Sequence, residues 1–180
     1  MPNANRSQTF YNPTGNPDTM NVSSLYNAGQ IGQAYDVNDR AYQCVQVDSG
    51  ATSATPAGAV AANQLAYWKD RATYTVTNDS RFALLDGQST SFRNNVAGIF
   101  RVAATAGYYV NVLQEGRNIS VKEVGSATGG MTLCASTSTT AADALGTAIN
   151  TACPAQQIGV VRTATSGTTC TADVMIPNIP

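Results

Sequence analysis

The 180-residue sequence predicts an all-β fold, a small antiparallel β-sandwich or barrel with an extended N-terminal arm. Three observations predict it. Apolar and polar residues alternate with a period of two in several separate stretches, the pattern of half-buried strands. Clusters of Gly, Asn, Ser and Asp interrupt those stretches at short intervals, the punctuation of a many-stranded sandwich or barrel. A glycine-led strand–turn–strand unit also occurs twice.

Residues 1–24 hold Pro2, Pro13 and Pro17, many asparagines and few aliphatics. They neither propagate a helix nor bury much surface alone, so they read as an extended arm, although an undocked tail fits the same text. The β-rich domain follows over 25–180. Phe10, Tyr11 and Tyr26 are aromatic anchors by which such an arm would hold a partner. The first strand is YQCVQV at 42–47, with Tyr42, Cys44 and Gln46 on one face and Gln43, Val45 and Val47 on the other. DSGATSATPAG then breaks it. PAGAVAANQLAYW has the alanine content of a helix, but a strand over 64–68 is favoured because the text after it, ATYTVTND, alternates strictly. There Ala72, Tyr74 and Val76 lie opposite Thr73, Thr75 and Thr77, and Asn78 and Asp79 supply a turn.

TAGYYVNVLQEGRNISVKEVG, residues 105–125, reads as a β-hairpin. Tyr108, Val110 and Val112 share one face, and Tyr109, Asn111 and Leu113 the other. EGRN is expected to reverse the chain, after which ISVKEV alternates again. Both faces carry apolar groups, so the hairpin is expected to be buried on two sides. Residues 126–157 are poor in large side chains and read as a long loop, a short helix over 140–152 being weakened by Gly146 and its Ser/Thr surroundings. The repeated unit is GIFRVAATAG at 98–107 and GVVRTATSG at 159–167. Gly107 and Gly167 stand where its turn would need positive φ, and Arg101 and Arg162, at matching positions, read as rim or inter-strand partners for carboxylates.

Composition narrows the function classes. Charged residues make up 12% of the chain and the net charge is −1, with no Lys/Arg cluster of the kind that tracks a nucleic-acid groove; direct nucleic-acid binding is not expected. The start lacks the basic and apolar regions of a secretory signal, and no run approaches a membrane span, so cytoplasmic synthesis without membrane contact is the expectation. The sequons at Asn5, Asn21, Asn78 and Asn118 then count only as turn-rich composition. Cys44, Cys134, Cys153 and Cys170 are widely spaced, and the chain has no histidine. Reduced thiols are expected, a Cys153–Cys170 bridge remaining open if those residues flank paired strands.

The lack of histidine removes the commonest general base and metal ligand, and with it the usual partner of a nucleophilic Ser or Cys. Asp36, Asp39, Asp48, Asp70, Asp79, Asp86, Glu115 and Glu123 could supply a carboxylate pair, but most stand in turn-like text where Asp serves the backbone. GSATGG lacks the Gly-Lys-Ser/Thr of a phosphate loop, and DVNDR lacks the glycine and distal glutamate of a calcium loop. No enzyme activity, cofactor or metal is expected. Trp68, the single tryptophan, reads first as a core residue and second as an interface anchor.

Three segments in order, AYWKDRATYTVTND, VAGIFRVAATAGYYVNVLQEGRNISVKEVG and IGVVRTATSGTTCTADVMIP, resemble the head decoration (cement) proteins of tailed bacteriophages over about 60–176. The resemblance implies a β-rich domain on the outside of the capsid in the virion, commonly a homotrimer, bridging subunits of the major capsid protein. Phe10, Tyr11, Tyr26, Trp68, Tyr108 and Tyr109 are the candidate interface residues. The same β-rich, Ser/Thr-rich text would also serve a tail, fibre or host-surface-binding module.

Overall fold

The computed structural model describes residues 21–22, 33–35, 40–48, 59–83, 95–122, 127–135, 148–149, 157–163 and 169–176. The strands are β1 (Asn21–Val22), β2 (Gln33–Tyr35), β3 (Ala41–Val47), β4 (Ala59–Val60), β5 (Leu65–Asp70), β6 (Thr75–Thr77), β7 (Val96–Phe100), β8 (Ala104–Thr105), β9 (Tyr109–Lys122), β10 (Thr132–Ala135), β11 (Ala148–Ile149), β12 (Gln157–Thr163) and β13 (Thr169–Met175). A short 3-10 turn occupies Ser80–Ala83. Among the described residues there is no other regular element, so the all-β expectation holds.

A closed barrel forms one half of the architecture. β3 pairs in parallel with β6, and the antiparallel pairs β6–β5, β5–β7, β7–β9 and β9–β3 complete the ring. Closure leaves no free edge among these strands. One buried cluster draws on all of them: Val45 and Val47, Ala66 and Trp68, Val76, Ala97 and Phe100, Val110 and Val112. A cluster with a contribution from each strand of a ring fills its lumen, and Val60 and Ala104 of the β4–β8 ribbon join it. A narrow lumen explains the preference for Val and Ala around two large rings, Phe100 and Trp68.

The other half is an open sheet. β9 continues past the barrel and pairs with β13 from Glu115 to Lys122, and β12, β10 and β11 extend the sheet beyond β13. A second cluster lies between this sheet and the outside of the barrel. It joins Tyr42, Leu65, Tyr67, Val96, Ile99 and Leu113 to Ile119, Val121, Leu133, Ile158, Val161, Cys170, Ala172 and Val174. β5 therefore has core on both faces, Ala66 and Trp68 towards the lumen and Leu65 and Tyr67 towards the sheet. The same holds for the first half of β9, where Val110 and Val112 face one cluster and Leu113 the other, as two-sided burial of this text requires.

The expected hairpin over 105–125 is absent: β9 is one 14-residue strand. EGRN does not reverse the chain. Ala172 pairs with Ile119 and Val174 with Gly116, so Arg117 and Asn118 together face Asp173 across a β-bulge. Asn118 has φ 56°, and its backbone N–H donates to Asp173 Oδ1 at 3.1 Å. Each half of β9 has its own antiparallel partner, β3 before the bulge and β13 after it, so folding β9 back on itself would forfeit both.

Two further expectations are corrected. Residues 71–74 turn instead of continuing a strand, because Asp70 accepts from the Ala72 N–H at 2.9 Å and the Thr73 hydroxyl at 2.8 Å while Tyr74 takes φ 54°. The supposed loop over 126–157 contains β10 and β11, and β10 buries Leu133, Cys134 and Ala135. Of the N-terminal arm only β1 is described, and it pairs with β9 at Tyr109 and Val110. Phe10, Tyr11, Tyr26 and Gly167 lie outside the described residues.

Both glycines that open the repeated unit stand where strands press together. A Cβ at Gly98 would lie 2.8 Å from Leu113 O and from Val112 Cβ, and one at Gly159 would overlap the Asp173 carbonyl oxygen. Gly107 differs: it has φ 83°, and a Cβ there would meet nothing within 4 Å. Gly98→Ala and Gly159→Ala should each destabilise the fold by about 3 kcal/mol or more through forced strand separation. Gly107→Ala should cost about 1 kcal/mol, the left-handed backbone penalty. Urea unfolding of the three variants tests the ranking, and equal losses would contradict it.

Candidate assembly surface

The buried polar side chains hold the fold together. Gln64 Oε1 accepts from the Ala61 N–H at 2.8 Å and from Asn78 Nδ2 at 3.0 Å, which ties the entry of β5 to the segment after β6. Asn95 Nδ2 donates to the carbonyls of Trp68 and Phe82, and the Asn95 carbonyl accepts from the Trp68 N–H at 2.9 Å. Gln114 Nε2 donates to Ala97 O at 3.2 Å between β9 and β7. These contacts satisfy polar groups that are wholly or partly withdrawn from water. Tyr67, fully buried, has its phenol pushed up by burial and then by the charge of Asp79, itself buried. Among the described residues no three His, Cys, Asp or Glu side chains gather closely enough to hold a metal ion, and no helix is long and apolar enough to cross a membrane.

Trp68 belongs to the barrel interior, 7% exposed, in keeping with its reading as core. Its ring meets Tyr74 edge-on at 6.0 Å, and the Arg71 guanidinium lies over it at 5.7 Å. Both contacts pack the Trp68 ring against side chains of the 71–74 turn. Tyr108 is exposed and Tyr109 half-buried. Tyr74 and Tyr108 come to the same end of the barrel, where their carbonyls accept from the neighbouring N–H groups of Gln46 and Val47. Trp68 and the exposed Tyr108 are thus separated into core and surface.

Sequence reasoning missed a second group of exposed apolar residues, Met131, Val160 and Met175. Val160 is the cross-strand neighbour of both Thr132 on β10 and Asp173 on β13. β13 alternates buried and accessible positions along its length, so Asp173 and Met175 share the outward face. Beside them Arg162 contacts Asp173 Oδ2 through Nε at 2.8 Å and Nη2 at 2.6 Å. Arg162 holds the Asp173 carboxyl below its usual range, with smaller support from the Asn118 N–H and the charge of Arg117. The inter-strand role expected of Arg162 is therefore observed. Arg101, its counterpart in the repeat, donates to Asn63 Oδ1 at 3.2 Å, and the Asn63 carbonyl accepts from the Lys122 N–H at 2.7 Å.

Cys134 is disulfide-bonded, which corrects the expectation of reduced thiols throughout, and Cys170 is a thiol in no disulfide, which removes the Cys153–Cys170 bridge. Cys44 is likewise in no disulfide, and burial pushes its thiol up to about 12.

No protein-family model and no curated protein matches the chain. Among solved structures it is similar to the N base of the head fiber gp8.5 of bacteriophage phi29, at 14% identity and a TM-score of 0.44, over 77% of this chain and 97% of that one. A likeness of this size carries no weight for fold or role.

The buried Cys44 thiol should resist alkylation in the native protein at pH 8, because little thiolate forms and the sulfur is covered. Iodoacetamide labelling followed by peptide mass spectrometry should find Cys44 unmodified until denaturant is added. Rapid native labelling would show that β3 opens locally.

Proposed function

We propose that this chain is a non-enzymatic phage structural protein of the decoration, or cement, class, which binds the outside of the capsid and bridges major capsid protein subunits as a homotrimer. The observation that carries this reading is where the three resembling segments fall. The first covers β5 from Ala66, the 71–74 turn and β6, the second runs from β7 past the end of β9, and the third covers β12 from Ile158 and all of β13. Together they supply most of the barrel and the two strands that extend β9 into the open sheet, so the resemblance follows a contiguous structural unit instead of scattered turns.

The surface chemistry agrees with broad protein contact. Large apolar side chains stand outward at two places, Tyr74 and Tyr108 at the barrel end and Val160 and Met175 on the sheet. Exposed apolar groups beside polar ones are what a protein-binding surface needs. In a trimer, contacts too weak to hold singly would gain about 10²–10⁴ in avidity when they engage one lattice together. A shell of repeated subunits offers that geometry.

The test is the copy number of this chain relative to the major capsid protein in purified virions, measured by quantitative mass spectrometry. The proposal expects a ratio near one, as a lattice-wide decoration requires. A handful of copies per particle would favour a tail, fibre or host-binding module, and absence from the particle would overturn the virion role.

A further inference from the structure

The outward face of the β9–β13–β12 sheet is unlike the usual solvated side of a sheet. One side of these strands is core. The other presents Val160 on β12 and Met175 on β13, and Met175, at 70%, is the most exposed large apolar side chain described. These apolar groups do not stand in a field of one charge. Asp173 and Arg162 form an ion pair between them. Glu115, the ladder partner of Met175, is exposed, and Arg117 is exposed and close enough to Asp173 to act on it electrostatically. Two cations and two anions thus surround the two apolar side chains.

We propose that this face is where copies of this chain pack against one another, with Val160 and Met175 at the centre of the contact. The charge pattern selects the occupant. A strongly acidic or basic partner would find as many repulsive as attractive charges here. A like copy brings the same balanced set, and a symmetry axis can place the cations of one copy near the anions of the next. The chain as a whole, with a net charge of −1, offers little repulsion against such packing. The ion pair between Arg162 and Asp173 is made within one chain, so those side chains are held in place before association and lose less freedom on it. The inference gives the self-association in the proposed function a location, but it concerns the isolated protein and stands or falls apart from the capsid.

The test is sedimentation velocity of the purified chain over a dilution series, comparing wild type with Met175→Glu, Val160→Ser and Ala62→Ser. Wild type should associate reversibly. Met175→Glu should raise the dissociation constant by about 100-fold, because an apolar side chain at the centre of the contact is replaced by a charged one that must be desolvated. Val160→Ser, on an internal strand position with its own outward face, should weaken association by about tenfold. Ala62→Ser, in the exposed turn before β5, should leave it unchanged, and the circular dichroism of all variants should match wild type. A wild type that stays monomeric throughout overturns the inference, as does association insensitive to Met175→Glu. If Met175→Glu abolishes association while virions lack the chain, the face is correct and the capsid role is not.

Discussion

The structure depends on β9 being buried on both sides and paired along both of its halves. A strand with core on one face only can end where its sheet ends. Here Val110 and Val112 line the barrel lumen while Leu113, Ile119 and Val121 pack into the space between barrel and sheet. Each such side chain contributes roughly 1.5–3 kcal/mol when withdrawn from water. Neither half of β9 can be released without exposing core, and so the barrel and the open sheet are held to one common strand. The bulge at Arg117 and Asn118 lets that strand serve two sheets, since an extra residue on one side of a ladder bends it and increases its twist.

Contacts at the ends of β9 reinforce this coupling. Asn63, just before β5, holds φ 67°, accepts from Arg101 through its side chain, and receives the Lys122 N–H on its carbonyl. The far end of β9 is thereby attached to the barrel strand that carries core on both faces. At the other end β1 pairs with Tyr109 and Val110, where β7 has already left the ladder for the bend at Arg101 and Val102. The glycine-led repeat has a matching rationale. Gly98 lets β7 press on β9 and Gly159 lets β12 press on β13, so the two units serve the two sheets in the same way.

Much of this was legible in the sequence, for physical reasons that differ by element. The strand class and the two-sided burial around 108–113 follow from apolar residues on both parities of an alternating run. Gly107 was legible because positive φ is cheap only for glycine. The bulge was not, because Gly116 and Asn118 are residue types that suit a hairpin turn and a bulge equally, and only the availability of β3 and β13 as partners decides between them. β10 and β11 were hidden by short length and small side chains. Of the candidate contact residues, the core position of Trp68 was anticipated, whereas Val160 and Met175 were not singled out: alternation along β13 shows that one face differs from the other, but which face meets the core depends on how distant strands pack.

The account makes the barrel and the sheet one cooperative body that presents outward apolar groups on a rigid frame, which multivalent contact favours because little order remains to be acquired on binding. The most direct test is native-state hydrogen exchange followed residue by residue along β9, in wild type and in Val174→Ala. The account predicts that amides on both sides of the bulge share the highest protection, and that Val174→Ala, which trims the sheet core, lowers protection in barrel and sheet by the same amount. Fast exchange of the sheet with undiminished protection in the barrel would contradict it, because β9 would then be two independent strands joined end to end.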